Sequence, residues 1–435
     1  MKENRRGFIK KAAGSALAMI AAPYIIPGTA LGKNGALAPS ERIVFGGIGL
    51  GSQGMGNSRG FLNKKEIQYV AICDVDARHR NNAMAMINGT YQNNDCRSYG
   101  DYREMLEKEK LDAITIAVPD HWHALISTAV ANKGIDIYGE KPLARSIKEA
   151  RAIVNAVNKN NVIWQTGSWQ RSLANFHRGA ELVINGRVGK VTHVEVGLPN
   201  GRKPIGTPPP MPLPEGLDWE MWLGPAPAVP YRGVAHWDWR WIMDYSGGQL
   251  TDWAGHHIDI AHWGLGYDKT GPISIEGVGV YPREGIFDVP IAYDFICEYK
   301  TGVTMRVANA SKQKHGMGTV WHGDKGWVHV DRGDVIRASD PKILEEVIGK
   351  DEIQLYKSTD HQQNFIDCIR SREETITPAE TAHRSISVGL LGEIAMLTGK
   401  KLAWDPEQEL ITNSAYANRL LVRPYRNPWK LDMIS

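Results

Sequence analysis

Cysteine is scarce: four residues in 435, at positions 73, 96, 297 and 368, with no CxxC pair and no zinc-module spacing. That argues against a disulfide framework and leaves at most a single bridge for an exported chain. Cys73 closes an apolar run and is expected as a small buried hydrophobe. An excess of one charge sign is also missing. The 51 Lys and Arg against 48 Asp and Glu give a formal net charge of +3, with no block of like charges. Neither nucleic acid nor an anionic membrane surface is therefore implied as a partner. Phenylalanine is rare at seven residues, whereas tryptophan reaches fourteen. Tryptophan carries a broad apolar face and one N–H donor, which suits a core as well as the stacking of sugar rings.

The N-terminus holds Arg5-Arg6, then Phe8, Ile9 and Lys10, then a weakly apolar run broken by Pro23 and Pro27. It resembles a twin-arginine export signal and makes a poor membrane span, so a periplasmic protein that is not integral to the membrane is expected. Cleavage after Ala30 fits the small residues there. The length calls for two domains. The expected partition is a signal and linker over 1–40, a dinucleotide-binding domain over 41–167 and a substrate domain over 168–435.

Within 41–167, β-branched runs alternate with helical patterns, which predicts a doubly wound parallel sheet. Ser146 and Glu149 stand at capping-box spacing before a long helix. Residues 199–230 hold ten of the 23 prolines and read as a long loop. Beyond it, alternating strands follow one another without long helices, which predicts an open-faced, mostly antiparallel sheet. Two helical patterns, 361–372 and 378–398, close the chain. The fold class expected is thus α/β followed by α+β.

Gly49, Gly51 and Gly54, with Ser52 and Gln53 between them, form GxGxxG directly after a strand, and Asp74 lies twenty residues on at the end of the next. The glycines admit a pyrophosphate to a helix N-terminus and the acid accepts ribose hydroxyls, so NAD is expected as cofactor. Asp74 would repel a 2′-phosphate, which disfavours NADP. Pro119 and His123, in "VPDHWHA" (118–124), and Glu140 and Lys141, in "YGEKPLA" (138–144), follow later strands and are expected at the carboxyl edge of the sheet, near the nicotinamide.

The stretch "GGQLTDWAGHHIDIAHW" (247–263) offers a metal site, an acid–base apparatus or an ordinary helix. If Thr251 caps a helix from Asp252, then Asp252, His256, Asp259 and Trp263 share one face at i, i+4, i+7 and i+11. His257 and His262 fall off that face, so three histidines do not converge from this helix and no metal is expected. The order GxGxxG, then EKP, then GGQLTDWAGHHID resembles the Gfo/Idh/MocA family of dehydrogenases over roughly 41–400.

That resemblance implies a Rossmann domain followed by a sheet domain carrying the substrate site. It also implies that Lys141 is catalytic, that His256 accepts a proton, and that Asp252 orients substrate and base, with Asp259 beside them. Arg171, in "WQRS" (169–172), and His361, in "HQQNF" (361–365), match substrate-side positions. In "HWDWRWIMDYSGG" (236–248), Trp239 alternates with polar residues, either as a sugar platform or as an edge strand.

A carbohydrate substrate and a homo-oligomer are expected. Three functions stay open. They are a sugar oxidoreductase, an NAD-dependent glycosidase that regenerates its cofactor, and a sugar or NAD sensor without turnover.

Overall fold

The β-branched run that ends in glycines becomes β1 (Ile43–Ile48). It is joined by β2 (Ile67–Cys73), β3 (Arg97–Tyr99), β4 (Ala113–Ile116), β5 (Asp136–Gly139) and β6 (Trp164–Thr166). All pair in parallel, in the order β3-β2-β1-β4-β5-β6. Strand order reverses between β1 and β4, which opens a ligand crevice at the carboxyl ends there. The computed structural model describes residue 38 and residues 41–431. The stretch read as a twin-arginine signal, with the expected cleavage after Ala30, lies outside the described residues.

The connecting helices are α1 (Ser52–Leu62), α2 (Ala77–Tyr91), α3 (Tyr102–Lys108), α4 (Asp120–Ala131) and α5 (Ile147–Lys159). At α5 the Ser146 hydroxyl accepts the Glu149 N–H at 3.4 Å, as the capping-box spacing predicts. Ile147, Ala150, Ile153, Val154 and Val157 then bury one face at helical period.

From α6 (Ala174–Ile184) onward the chain builds a nine-stranded sheet. Its central strands are β7 (Val191–Leu198), β8 (Ser274–Val280), β9 (Ala292–Glu298) and β10 (Thr304–Asn309). The rest are β11 (Gly318–Gly323), β12 (Gly326–Asp331), β13 (Val335–Ala338), β14 (Leu402–Asp405) and β15 (Leu410–Ile411). Only β7 with β10 runs parallel; the other neighbours are antiparallel. Period-2 alternation sets the inner face. Tyr293, Phe295 and Cys297 of β9 are fully buried, whereas Asp294, Ile296 and Glu298 are not. The terminal helices fall at His361–Ser371 and Ala379–Thr398.

The proline-rich segment has no helix or strand over 199–218 and runs as a strap beside the crevice. The Ala77 N–H donates to the Gly216 carbonyl at 2.9 Å, and the Asp218 N–H to that of Val75 at 3.1 Å. Under the strap the Trp219 and Trp222 rings stack at 4.7 Å and pack with Tyr231, Trp239 and Tyr245. Much of the tryptophan excess is therefore core. "HWDWRW" forms a tight 3-10 turn, Asp238–Trp241, rather than an edge strand, so its alternation does not put three rings on one face. Trp237 is 54% exposed, Trp239 is buried at the crevice wall and Trp241 packs on Phe287.

Arg171 belongs to this scaffold. Its guanidinium donates to both Asp259 oxygens at 2.8 and 2.9 Å and to both Asp268 oxygens at 2.9 and 2.7 Å, and it stacks over Trp263 at 5.0 Å. Arg171 and Asp259 are each 3% exposed at the side chain. The expectation that both face substrate is corrected: each is consumed by the other inside the fold. Breaking such a pair strands a buried charge, so Arg171→Met should lower unfolding stability by about 3–5 kcal/mol in denaturant titration. A stability equal to wild type would return Arg171 to the substrate side.

Candidate active site

The glycine turn has the shape a dinucleotide requires. Gly49 adopts φ +81°, and a Cβ at Gly54 would lie 1.8 Å from the Gly49 carbonyl oxygen, so both positions exclude side chains. A Cβ at Gly51 would meet nothing nearer than His79 at 3.9 Å, which leaves that backbone open to a ligand. Gly51 begins α1 without a side-chain cap, and the first turn carries no acidic residue, so its amides are free for a phosphate. With Ser52, Gln53 and Pro119 these groups line a crevice of about 1150 Å³.

Asp74 lines the same crevice. Its carboxylate accepts the Leu50 N–H at 2.6 Å and the Asp76 N–H at 2.9 Å, and it sits 3.3 Å from His79 Nδ1. Glu140 follows β5 and is held by Gln53 Nε2 at 3.0 Å and Asn57 Nδ2 at 2.9 Å. It thereby ties the glycine helix to the loop that carries Lys141.

Next in sequence, Lys141 Nζ meets Asp252 Oδ1 at 2.6 Å. Burial opposes both charges. The partner wins in each case: Asp252 holds the Lys141 ammonium above its ordinary range, and Lys141 holds the Asp252 carboxyl below its own. Both therefore stay ionised near neutral pH.

The helix carrying Asp252 departs from the expected form. It begins at Gly248 (Gly248–Trp253, α7), four residues early. Thr251 is no N-cap: its hydroxyl accepts the Gly247 N–H at 3.1 Å from inside the first turn. Ala254–Ile258 widen into a π-turn before the helix resumes as α8 (Asp259–Leu265). The π-turn frees carbonyls, and these find partners: Thr319 Oγ1 donates to His257 O at 2.8 Å and Gln170 Nε2 to His256 O at 3.5 Å.

At the π-turn the backbone passes close to the lysine; a Cβ on Gly255 would lie 3.4 Å from Lys141 Cβ. His256 sits there, buried, its ring 5.5 Å from that of Trp253. Its Nδ1 has no hydrogen-bond partner among the described residues. Burial, and then the charges of Lys141 and Arg332, push the imidazole well below the usual histidine range, so it is neutral. Beyond the extra residue the helical register slips, and Asp259 and Trp263 turn inward to Arg171 rather than sharing the face of Asp252.

Two more expected site residues are committed elsewhere. His123 directs Nδ1 to the Pro142 carbonyl at 2.6 Å and Nε2 to that of Val118 at 2.9 Å, bracing the two crevice loops from behind. His361 directs Nδ1 to Ser172 Oγ at 2.9 Å and Nε2 to the Thr166 carbonyl at 2.8 Å. Both rings are buried and, like that of His256, neither lines the crevice; His256 differs in lying against Lys141 with Nδ1 unpartnered among the described residues.

Two arginines join the site: Arg240, one of the polar residues between the tryptophans of 236–248, and Arg332, which the sequence did not single out. Arg240 lies between Trp237 and Trp239, at 4.4 and 4.3 Å from their rings. Arg332 lies between Trp169 and Trp253, at 4.7 and 4.4 Å, and donates to Gln170 Oε1 at 3.0 Å. Neither forms an ion pair among the described residues, and both lend positive charge to Asp252. Arg240 had a signal in its flanking tryptophans; Arg332 had none, because its partners are distant in sequence.

A family profile described as an oxidoreductase family, NAD-binding Rossmann fold, matches residues 43–168. The profile of that family's C-terminal alpha/beta domain matches residues 206–431. A glycosyl hydrolase family 109 protein from Shewanella pealeana is 25% identical over 212 residues, covering 45% of this chain and 46% of that protein. An α-N-acetylgalactosaminidase from Shewanella oneidensis is 28% identical over 214 residues, covering 44% and 45%. The chain thus spans less than half the length of these curated relatives.

Among solved structures, the WlbA dehydrogenase from Bordetella pertussis, in complex with NADH and UDP-GlcNAcA, superimposes with TM-score 0.62 at 18% identity, over 84% of this chain and 99% of that one. An aldose-aldose oxidoreductase from Caulobacter crescentus gives TM-score 0.59 at 17% identity, over 83% and 99%. These structural likenesses speak to the fold. Two family profiles on one chain, in register with the glycine turn and the second sheet, settle its membership: it belongs to the Gfo/Idh/MocA family of oxidoreductases, with an NAD-binding Rossmann domain at its N-terminal side.

Proposed function

We propose that the protein acts on a secondary hydroxyl of a sugar or glycoside. The observation that carries this reading is the Lys141–Asp252 ion pair at the carboxyl edge of the Rossmann sheet, beside a buried neutral histidine. Lys141 donates a hydrogen bond to the substrate oxygen and stabilises it as it loses its proton. His256, neutral and with Nδ1 unengaged, accepts that proton. Asp252 holds the lysine in place and charged. The glycine turn, Asp74 and Glu140 would hold NAD, which would supply the hydride-accepting chemistry for the carbinol carbon. The carboxylate of Asp74 at the ribose position favours NAD over NADP.

Retention of the cofactor follows from two features. The strap walls one side of the crevice, and the twin-arginine segment fits export of a folded, cofactor-loaded protein to a periplasm without a free NAD pool. No described helix is long and apolar enough to cross a membrane.

A second reading is a redox-neutral glycosidase, favoured by the glycosidase names of the curated relatives. Transient oxidation at C3 of the sugar acidifies the C2 proton, and loss of the aglycone, addition of water and re-reduction follow. The same Lys141 and His256 serve both readings.

Aryl glycosides separate them. Phenol release with no net change in bound NAD marks hydrolysis, a ketosugar marks oxidation, and binding without turnover marks a sensor. Lys141→Met and His256→Asn should each lower kcat by about 10²–10⁴ while leaving the NAD dissociation constant near wild type. Lys141→Met, which strands the Asp252 carboxylate, should also lower the melting temperature, whereas His256→Asn should not. Retained turnover in both variants refutes the assignment.

The pH profile offers a further check. His256 is depressed, so its basic form persists well below neutrality and the acid limb of kcat/KM should fall below the ordinary histidine value of 6.5. Arg332→Met removes a charge that disfavours the imidazolium, so the histidine pKa rises and that limb should move to higher pH. An unmoved limb contradicts His256 as the base.

A further inference from the structure

At the adenosine end of the crevice, away from Lys141, three metal-ligating side chains converge. Asp76 caps α2, His79 lies in its first turn, and His236 lies far along the chain, where it returns from the strap just before the Asp238–Trp241 turn. Asp76 Oδ2 is 4.0 Å from His79 Nε2 and 3.5 Å from His236 Nε2, and the three ligand atoms lie within 4.8 Å of one another. Donors on a tetrahedral zinc-class ion, at bonds of about 2.0–2.2 Å, stand roughly 3.4 Å apart, so small rotamer adjustments close the site. Among the described residues no other three His, Cys, Asp or Glu side chains bring ligand atoms this close.

A second observation concerns the support behind the ligands. The Nδ1 of His79 faces Asp74 Oδ2 at 3.3 Å. A carboxylate behind one ring nitrogen, with the other nitrogen turned toward Asp76 and His236, is the arrangement that orients metal-bound histidines. The Asp76 side chain is 5% exposed, so its charge asks for a counter-ion. The neighbouring cation is Arg78, whose Nη2 lies 3.3 Å from His236 Nε2 and 3.6 Å from Asp76 Oδ2. It is 63% exposed and free to swing into solvent.

We infer that Asp76, His79 and His236 bind one zinc-class divalent ion, which clasps the strap to the start of α2. Backbone hydrogen bonds already tether residues 216–218 to this region, and the ion would fix the returning limb of the strap around His236 as well.

The test uses tag-free, chelator-stripped full-length protein titrated with Co²⁺. The expected result is one ion per chain at micromolar affinity, with intense tetrahedral d–d bands that Zn²⁺ displaces. His236→Ala, on the exposed strap, should weaken binding about tenfold or more and abolish the rise in melting temperature that Zn²⁺ gives wild type, while its metal-free melting temperature stays unchanged. His79→Ala should behave alike, and Arg78→Ala should bind at least as tightly as wild type. Absence of saturable binding at micromolar Co²⁺, or binding indifferent to His236→Ala, overturns the site and leaves the cluster as a hydrogen-bonded network around Arg78.

Discussion

The 2.6 Å contact between Lys141 and Asp252 is the constraint on which the rest of the site depends. It joins the carboxyl end of β5 to a helix of the second domain, and so fixes where the Rossmann crevice meets the larger sheet. Each partner keeps the other ionised against the cost of burial. Burial first, and then the resulting ammonium and the Arg332 guanidinium, keep His256 neutral. The imidazole has no carboxylate of its own among the described residues; of the two cations, one is paired with Asp252 and the other sandwiched between Trp169 and Trp253.

The Rossmann half was largely legible in the sequence because its signals are local. A β-branched run, a glycine turn and an acid after the next strand specify one backbone path, and the Ser146 cap lies at the spacing its hydrogen bond demands. The sheet of the second domain was legible as a class, since β8, β9, β10 and β12 alternate visibly. Helix α6 and strand β7 went unread; β7 pairs with β10 and β11, and no local pattern in its own eight residues reveals that.

The site was legible at Lys141, Asp252 and the glycine turn and poorly legible beyond them. The face drawn through 252, 256, 259 and 263 assumed 3.6 residues per turn throughout. The π-turn over Ala254–Ile258 breaks that assumption, and it is stabilised by Thr319 and Gln170, which no helical pattern could have named. Arg171, His123 and His361 carry the polar character expected at a substrate site, yet each is satisfied by buried partners distant in sequence. Residue type announced polarity; only tertiary contact decided whether that polarity faced the crevice or the interior. The tryptophans teach the same lesson: Trp219 and Trp222 pack under the strap, while two pairs sandwich arginines that lend charge to Asp252.

The central claim is that the ion pair, rather than the cofactor cradle alone, makes the crevice competent for hydride transfer. Single-turnover formation of reduced nicotinamide in NAD-loaded protein mixed with saturating glycoside, compared between wild type and Asp252→Asn, tests it most directly. The account predicts a fall of about 10²–10³ in that rate with NAD affinity unchanged. Equal rates in the two proteins would contradict it.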